Sequence, residues 1–98
     1  MIIISAVLKA KPGKEAELET LLKSLFSKVK QEAGVLEYVL HRAQGDAGKF
    51  FFYEKYKDQH AVDVHMSTSY LQEAFAKYDG LLSEKSEVEF YEEIATIS

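Results

Sequence analysis

Residues 35–56, "VLEYVLHRAQGDAGKFFFYEKY", contain two apolar segments separated by a turn sequence. The segments at residues 35–42 and 49–56 are rich in β-branched and aromatic residues, which favour strands. The intervening "AQGDAG" supplies two glycines and an aspartate, residues that are typical of tight turns. The stretch therefore predicts two antiparallel strands joined as a β-hairpin.

The hairpin also predicts a sheet with two apolar faces. Phe50 and Phe52 lie on one face and Phe51 and Tyr53 on the other, because successive side chains of a strand point to opposite sides. The N-terminal segment "IIISAVL" has apolar residues at both odd and even positions, so it predicts another strand that is apolar on both faces. A large exposed apolar surface usually marks an interface. A second copy of the same sheet is the simplest cover, so we expect a homodimer.

The segments around the hairpin predict helices and a last strand. Apolar residues at spacings of three and one between positions 18 and 29 form one face of an amphipathic helix, which Gly34 is predicted to end. Asp58 is predicted to cap a short helix that runs to about Met66. Ser69 with Gln72 matches a capping box in front of a further helix.

Residues 87–97 predict the last strand, whose many acidic residues suit a solvated sheet edge. The predicted order is β-α-β-β-α-α-β. This is the ferredoxin-like split βαβ pattern with a broken second helix, an α+β fold with a four-stranded antiparallel sheet. Helices would then cover one face of the sheet, and the dimer partner would cover the other.

Composition narrows the possible classes of protein. The 98 residues predict one domain, residues 1–98, small enough to gain from a partner subunit. The net charge of −4 comes without a basic stripe, which argues against nucleic acid as a partner. No apolar run is long enough for a bilayer, and the N-terminus lacks the basic region of a signal peptide. The chain has no cysteine, which suits a cytoplasmic protein.

The end of the hairpin and the residues after it carry the candidate chemistry. Glu54 shares the parity of Phe52 and Tyr56, so we expect this carboxyl group to be at least partly buried and to need hydrogen bonds or a raised pKa. His65 follows Ala61 by four residues and lies on the inward face of the short helix. His60 is about 140° away around a helix of 100° per residue and is expected to be solvated.

Other motifs are absent or incomplete. The two histidines are five residues apart, whereas a helical metal site needs a spacing of four, so no metal site is predicted. "GDAGKF" is too short for a phosphate-binding loop and precedes a strand. No serine lies in a G-x-S-x-G elbow.

The remaining polar residues predict a pocket between the sheet and the helices. In one interpretation, a buried His65–Glu54 hydrogen bond only attaches the short helix to the sheet. In the other, His65 donates or accepts a proton within this pocket. The candidate catalytic residues are His65, Tyr56 and Glu54. The candidate substrate-binding residues are His41, Tyr38, Tyr70 and Phe52.

The chain resembles the antibiotic biosynthesis monooxygenase family over nearly its whole length. The resemblance rests on "LKAKPGKEAELETLL", "EAGVLEYVLHR" and "FFFYEKYKDQHAVDVHMSTSYL", followed by a short closing strand. The third stretch is the specific one, because a strand ending in tyrosine, glutamate and an aromatic residue precedes a helix that ends in histidine. The family implies a dimeric α+β barrel, in agreement with the two apolar sheet faces.

The resemblance implies small-molecule chemistry in a pocket of each subunit. Family activities include cofactor-free oxygenation of polyketides and quinols, haem degradation, and isomerisation of a phosphorylated signalling sugar. The polyketide and haem enzymes rely on a tryptophan and an asparagine, and this chain has neither. Tyr56 occupies the tryptophan position, and Tyr70 replaces a second histidine.

Three hypotheses follow from the resemblance and the pocket. The first is a small monooxygenase without metal or bound cofactor, in which His65 and Tyr56 help deprotonate a quinol or phenol and Glu54 holds His65 in one tautomer. The second is an acid–base isomerase related to the autoinducer-2 phosphate processing enzymes, using His65 and His41. The third is a non-catalytic ligand-binding dimer.

Overall fold

The structure, a computed structural model, describes residues 1–97 and contains one antiparallel sheet of four strands. The strands are ordered β2-β3-β1-β4 across the sheet, so that the first and third strands are central. This is the strand order of the predicted split βαβ fold. In chain order the strands are β1 (Ile2–Lys9), β2 (Val35–Ala43), β3 (Asp46–Tyr56) and β4 (Glu87–Glu92).

Helical segments connect the strands and cover one face of the sheet. The single helix predicted over residues 18–29 is interrupted at Leu25, whose amide donates to the carbonyl of Leu22 at 3.3 Å and so forms a tighter, three-residue turn. No helix within residues 1–97 is long and apolar enough to cross a membrane. The helices are α1 (Glu15–Ser24), α2 (Phe26–Val29), α3 (Gln59–Met66) and α4 (Ser69–Leu81).

Gly34 does not end a helix, and that prediction is wrong. Helix α2 ends at Val29, and its C-cap residue is Lys30, four residues before Gly34. The glycine is needed instead for a close approach, because a Cβ atom at position 34 would lie 2.4 Å from Cβ of Ala61. The carbonyl of Gly34 also accepts from the amide of Lys57 at 2.9 Å. The turn after α2 can therefore lie directly against α3.

Two predicted boundaries also differ from the structure. The predicted capping box at Ser69 is wrong, because Thr68 is the N-cap residue of α4. The side-chain amide of Gln72 donates instead to the carbonyl of Met66 at 2.7 Å. The last strand ends at Glu92 and not at residue 97. Glu92 pairs with Ile2, the first residue of β1, so the neighbouring strand offers no partner beyond this point.

The core lies between the helices and one face of the sheet. At one end, Leu18 and Leu22 of α1 pack with Leu8 and Phe50. At the other end, Ala61 and Val62 of α3 pack with Ile4 and Tyr56. The alternation of β3 is as predicted, since its aromatic residues at even positions are buried.

Among residues 1–97, no helix covers the other face of the sheet. It exposes Val39 of β2 (42% accessible), Phe51 of β3 (38%) and Tyr91 of β4 (48%), with Val7 half-buried among them. Val7, Phe51 and Tyr53 lie on this face as predicted, with charged residues such as Lys55 and Glu89 between the apolar ones. We call this surface, formed by Val7, Val39, Phe51, Tyr53 and Tyr91, the open face.

Candidate functional site

Helix α3 carries His65 into the interior. The side chain of Asp58 accepts from the amide of Ala61 at 2.9 Å, so the predicted cap is confirmed. The apolar stripe of this short helix then faces the sheet, and His65 is only 2% accessible. His60, on the opposite side of the helix, is exposed. Both placements agree with the prediction from helical spacing.

Glu32 is the hydrogen-bond partner of His65. Nδ1 of His65 lies 3.1 Å from both Oε1 and Oε2 of Glu32, whose side chain is 9% accessible. The sequence predicted that His65 would be hydrogen-bonded or close to Glu54. Glu54 is a neighbour in the same cavity, and His65 acts on it electrostatically to lower its pKa.

No local pattern in the sequence pointed to Glu32. In "VKQEAG" it follows an amphipathic helix and has the composition of a solvated helix end. The structure places it in the turn between α2 and β2, where its amide donates to the carbonyl of Val29 at 2.9 Å. Because Gly34 lets this turn approach Ala61 so closely, the carboxylate of Glu32 reaches the end of α3.

Glu54 and Tyr56 form a second buried polar pair. The two side chains lie on the same face of β3, and Oη of Tyr56 donates a hydrogen bond to Oε1 of Glu54. Glu54 is 7% accessible. Burial raises the pKa of its carboxyl group, while the hydrogen bond from Tyr56 and the proximity of His65 oppose that rise. The prediction that this carboxyl group is buried and needs partners is confirmed.

Aromatic rings surround His65. Its ring centroid lies 5.3 Å from that of Tyr56 and 5.8 Å from that of Tyr38, and Tyr38 packs at 4.9 Å on Phe52. Burial raises the pKa of both Tyr38 and Tyr56, so both phenols stay protonated at neutral pH. Tyr56 is thus a hydrogen-bond donor in this site and not a phenolate base.

Helix α4 adds two more tyrosines. Oη of Tyr70 donates to Oε2 of Glu32, and burial together with this hydrogen bond raises the pKa of Tyr70 to about 12. Burial and the charge of Glu54 raise the pKa of Tyr78 to about 12. Between α3 and α4, Oγ1 of Thr68 donates to the carbonyl of His65 at 2.8 Å and joins the two helices.

The structure does not bring His41 into this cluster. In β2 it pairs with Phe51, which belongs to the open face, whereas Tyr38 pairs with Glu54. Nδ1 of His41 lies 3.1 Å from the carbonyl oxygen of Phe51, and the side chain is exposed. Tyr38 and His41 are three residues apart, so strand alternation alone puts them on opposite faces of the sheet.

A cavity of about 60 Å³ adjoins the cluster. Its wall includes His65, Glu54, Tyr38 and Phe52 together with apolar side chains of β1, α4 and β4. Drug-sized ligands occupy roughly 300–1,000 Å³, so this cavity must widen to hold one. Met66, Phe75 and Val88 also line it and are 36%, 39% and 46% accessible, so these side chains have room to move.

Larger grooves exist on the surface, but they lack the buried titratable side chains of this cavity. One of about 750 Å³ lies between α2 and β2, and one of about 830 Å³ lies between α1 and α4. Both are open to solvent, and neither is lined by the His65–Glu32 or the Tyr56–Glu54 pair. Buried titratable groups with perturbed pKa values mark functional sites better than volume alone. We therefore take the small cavity as the candidate site.

Metal-binding side chains do not cluster here. Within residues 1–97, no group of three or more histidine, aspartate or glutamate side chains is arranged to hold a metal ion. The chemistry of the site has to be considered from its histidine, its two carboxyl groups and its tyrosines.

Comparison with known proteins gives a consistent family. The family described as antibiotic biosynthesis monooxygenase matches residues 1–77. The chain is 35% identical over 83 residues to the Bacillus subtilis protein named "Putative monooxygenase YcnE", covering 85% of this chain and 87% of that protein. It is 27% identical over 90 residues to "Uncharacterized protein sll1783" from Synechocystis, covering 92% of this chain but only 61% of that relative.

Solved structures share the fold. The structure of Rv0793 from Mycobacterium tuberculosis superimposes with a TM-score of 0.92 at 21% identity, covering 99% of this chain and 98% of that one. At this identity the likeness concerns the fold alone. It confirms the predicted α+β, ferredoxin-like architecture with its four-stranded antiparallel sheet.

Proposed function

Because the chain belongs to the antibiotic biosynthesis monooxygenase family, we propose that it oxygenates a small phenol or hydroquinone in the cavity beside His65. The observation that carries the proposal is the buried His65, which lines a largely apolar cavity together with Glu54 and is held at Nδ1 by Glu32. The monooxygenase name of the Bacillus subtilis relative supports the reaction class. The substrate is inferred from the chemistry of the cavity.

His65 is the proposed general base. A carboxylate accepts hydrogen bonds only, so the contact with Glu32 favours the tautomer in which Nδ1 carries the proton. The lone pair of the neutral ring is then on Nε2, which can accept a proton from a phenol. Glu32 thus holds the tautomer of His65, the role that the sequence had suggested for Glu54, and it also stabilises the imidazolium that forms.

A hydroquinone supplies every electron that the reaction needs. One oxygen atom of O₂ enters the ring and the other leaves as water, while the hydroquinone loses two hydrogens and becomes a hydroxyquinone. Deprotonation makes the ring electron-rich enough to pass an electron to oxygen. The protein therefore has to supply orientation, proton transfer and a site with little water, and the proposed reaction needs no resident cofactor.

The remaining residues bind the substrate in this proposal. Tyr38 and Phe52 offer ring surfaces against which an aromatic molecule can stack. Glu54, held by the hydroxyl of Tyr56, can bind a second hydroxyl group of the substrate. Entry requires Met66 and Phe75 to move apart, since the cavity of about 60 Å³ is smaller than known ligand pockets.

The cavity favours this chemistry over isomerisation of a sugar phosphate. A phosphate group is normally bound by lysine or arginine side chains or by free backbone amides. None of the cavity-lining side chains within residues 1–97 is a lysine or an arginine. His41, the second acid–base group of the isomerase hypothesis, lies on the opposite face of the sheet.

Oxygen uptake with a panel of hydroquinones and naphthols tests the proposal. We expect enzyme-dependent uptake with at least one of them, with formation of the hydroxyquinone from a hydroquinone or of the quinone from a naphthol. H65Q keeps the size of the side chain but removes the base, and should lower kcat/KM about 100-fold or more. E32Q should lower it by a smaller factor. H60Q, on the exposed side of the same helix, is the matched control and should leave the rate unchanged.

Binding of these molecules without oxygen uptake would contradict the proposal and support a non-catalytic ligand-binding protein. An H65Q variant that binds and turns over its substrate as the wild type does would equally remove His65 from the reaction. Circular dichroism and thermal unfolding of each variant separate loss of chemistry from loss of fold.

A further inference from the structure

Tyr70 and His65 share one carboxylate. Oη of Tyr70 donates to Oε2 of Glu32, and Nδ1 of His65 lies 3.1 Å from both oxygens of the same group. Tyr70 is not among the residues that line the cavity, and its hydrogen bond to Glu32 connects it to His65. We propose that Tyr70 is a positioning residue that lowers the basicity of His65 by competing for the charge of Glu32.

The physical argument concerns how the carboxylate distributes its charge. A hydrogen bond from a phenol to a carboxylate is charge-assisted and strong. It withdraws electron density from Glu32 and so weakens the attraction between Glu32 and a protonated His65. Without the hydroxyl group, the carboxylate would hold the imidazolium more tightly. Tyr70 therefore helps His65 to release the proton that it has taken from a substrate.

The donor is present throughout the working pH range. The pKa of Tyr70 is raised to about 12, first by burial and then by the hydrogen bond to Glu32, so the phenol stays protonated near neutrality. Helix α2 contributes Lys28, whose Nζ lies 5.7 Å from the centre of the Tyr70 ring. A phenylalanine at position 70 keeps that ring and the lysine contact while it removes only the hydroxyl group.

The other groups around His65 do not change in such a variant. Glu54 and Tyr56 face the ring from β3, Tyr38 faces it from β2, and Tyr78 lines the same cavity from α4. Their electrostatic effects on His65 are common to the wild type and the variant. A difference between the two proteins thus reports the Tyr70–Glu32 hydrogen bond.

Nuclear magnetic resonance of the histidine side chains tests the inference without any substrate. With ¹⁵N-labelled histidine, the two ring nitrogens give the tautomer of His65 and the pH midpoint of its protonation. In Y70F we expect that midpoint to rise by about half a pH unit or more. One unit corresponds to 1.36 kcal/mol, so half a unit is about 0.7 kcal/mol, the size of one hydrogen bond's net contribution. In E32Q, which removes the charge, it should fall, and the preference for a proton on Nδ1 should weaken.

The matched control is Y91F. Oη of Tyr91 donates to Oε2 of Glu89 at 2.8 Å on the open face, on the other side of the sheet from the candidate cavity, so this variant also removes one tyrosine–glutamate hydrogen bond. It should leave the His65 midpoint unchanged. If Y70F does not fold, Y70M also lacks the hydroxyl group and should shift the midpoint in the same direction. A Y70F midpoint that is unchanged or lower refutes the inference.

The link to turnover rests on the proposed function and can fail separately. If His65 is the base, the acidic limb of kcat/KM against pH should move in Y70F by the amount that the resonance titration gives. A shifted His65 titration in a protein that oxidises no hydroquinone would keep the inference and refute the proposed function. An active enzyme in which Y70F leaves the titration of His65 unchanged would keep the proposed function and refute the inference.

Discussion

Glu54 has a carboxyl group whose proton affinity depends on folding. Burial raises its pKa in the folded protein, against the opposing effects of Tyr56 and His65. Between the unfolded and the folded pKa the native state binds more protons than the unfolded state. The contribution of this group to the free energy of unfolding therefore decreases as pH rises through that interval.

Replacement by glutamine at position 54 should remove this pH dependence. Glutamine has the same size and keeps an oxygen that can accept from Tyr56. The stability of E54Q relative to the wild type should increase from about pH 4, near the unfolded pKa, towards neutral pH. Urea unfolding of both proteins at several pH values measures the difference, in which contributions from other groups cancel. A constant difference would mean that Glu54 ionises as readily in the folded protein as in the unfolded chain.

At the scale of elements, the site depends on how closely α3 lies against the turn after α2. Gly34 and Ala61 are the contact point, and together they bring Glu32 to His65. The segment that leads into this turn is packed on α4 by an apolar cluster of Leu25, Val29, Leu71 and Ala74. The carboxylate is thus positioned by small and apolar residues that have no chemistry of their own.

A methyl group at position 34 should disturb this contact. In G34A the new Cβ would approach Cβ of Ala61 to 2.4 Å, so α3 must shift. We expect a loss of roughly 1–3 kcal/mol in the free energy of unfolding. The double variant G34A/A61G should lose less than the sum of the two single changes, since it relieves the clash.

G80A is the control at the same scale. A Cβ at Gly80 of α4 would meet no atom within 4 Å, so we expect no loss and a gain of roughly 0.5–1 kcal/mol from the higher helix propensity of alanine. Urea unfolding curves for the four variants measure these changes. A G34A protein as stable as G80A would show that the turn and α3 do not need to be in contact.

At the scale of the whole molecule, the open face needs a cover. Val39, Phe51 and Tyr91 are between 38% and 48% accessible in the isolated chain. An apolar surface of this kind on a small protein is characteristic of an interface. We predict a homodimer in which the open faces of two subunits pack together, with the two candidate cavities on the outer sides of the sheets.

Charge on the open face should separate the subunits. F51D or V7D would bury an unpaired carboxylate in the interface, and breaking buried contacts in this way costs several kcal/mol. Light scattering at micromolar concentration should give a dimer for the wild type and a monomer or an unfolded chain for these variants. V64D on the outer surface of α3, where Val64 is 43% accessible, should remain dimeric. A wild-type monomer under these conditions would contradict the prediction.

The sequence by itself determined the order of strands and helices and the direction in which most side chains point. Periods of two and 3.6 residues are local properties, and they place Glu54 inward on β3, His65 inward on α3 and His60 outward. The same alternation separates Tyr38 from His41, although both had been assigned to the pocket. The aspartate cap of α3 was predictable for the same local reason.

Only the tertiary structure decided which partner His65 has. Glu32 precedes it by 33 residues and lies in a turn that has no periodicity to fix its direction. Its position follows from the packing of Gly34 on Ala61 and of α2 on α4, contacts between segments far apart in the chain. Local spacing determines the face on which a side chain lies. The neighbour that it meets there depends on how distant elements pack, and no local pattern in the sequence encodes that packing.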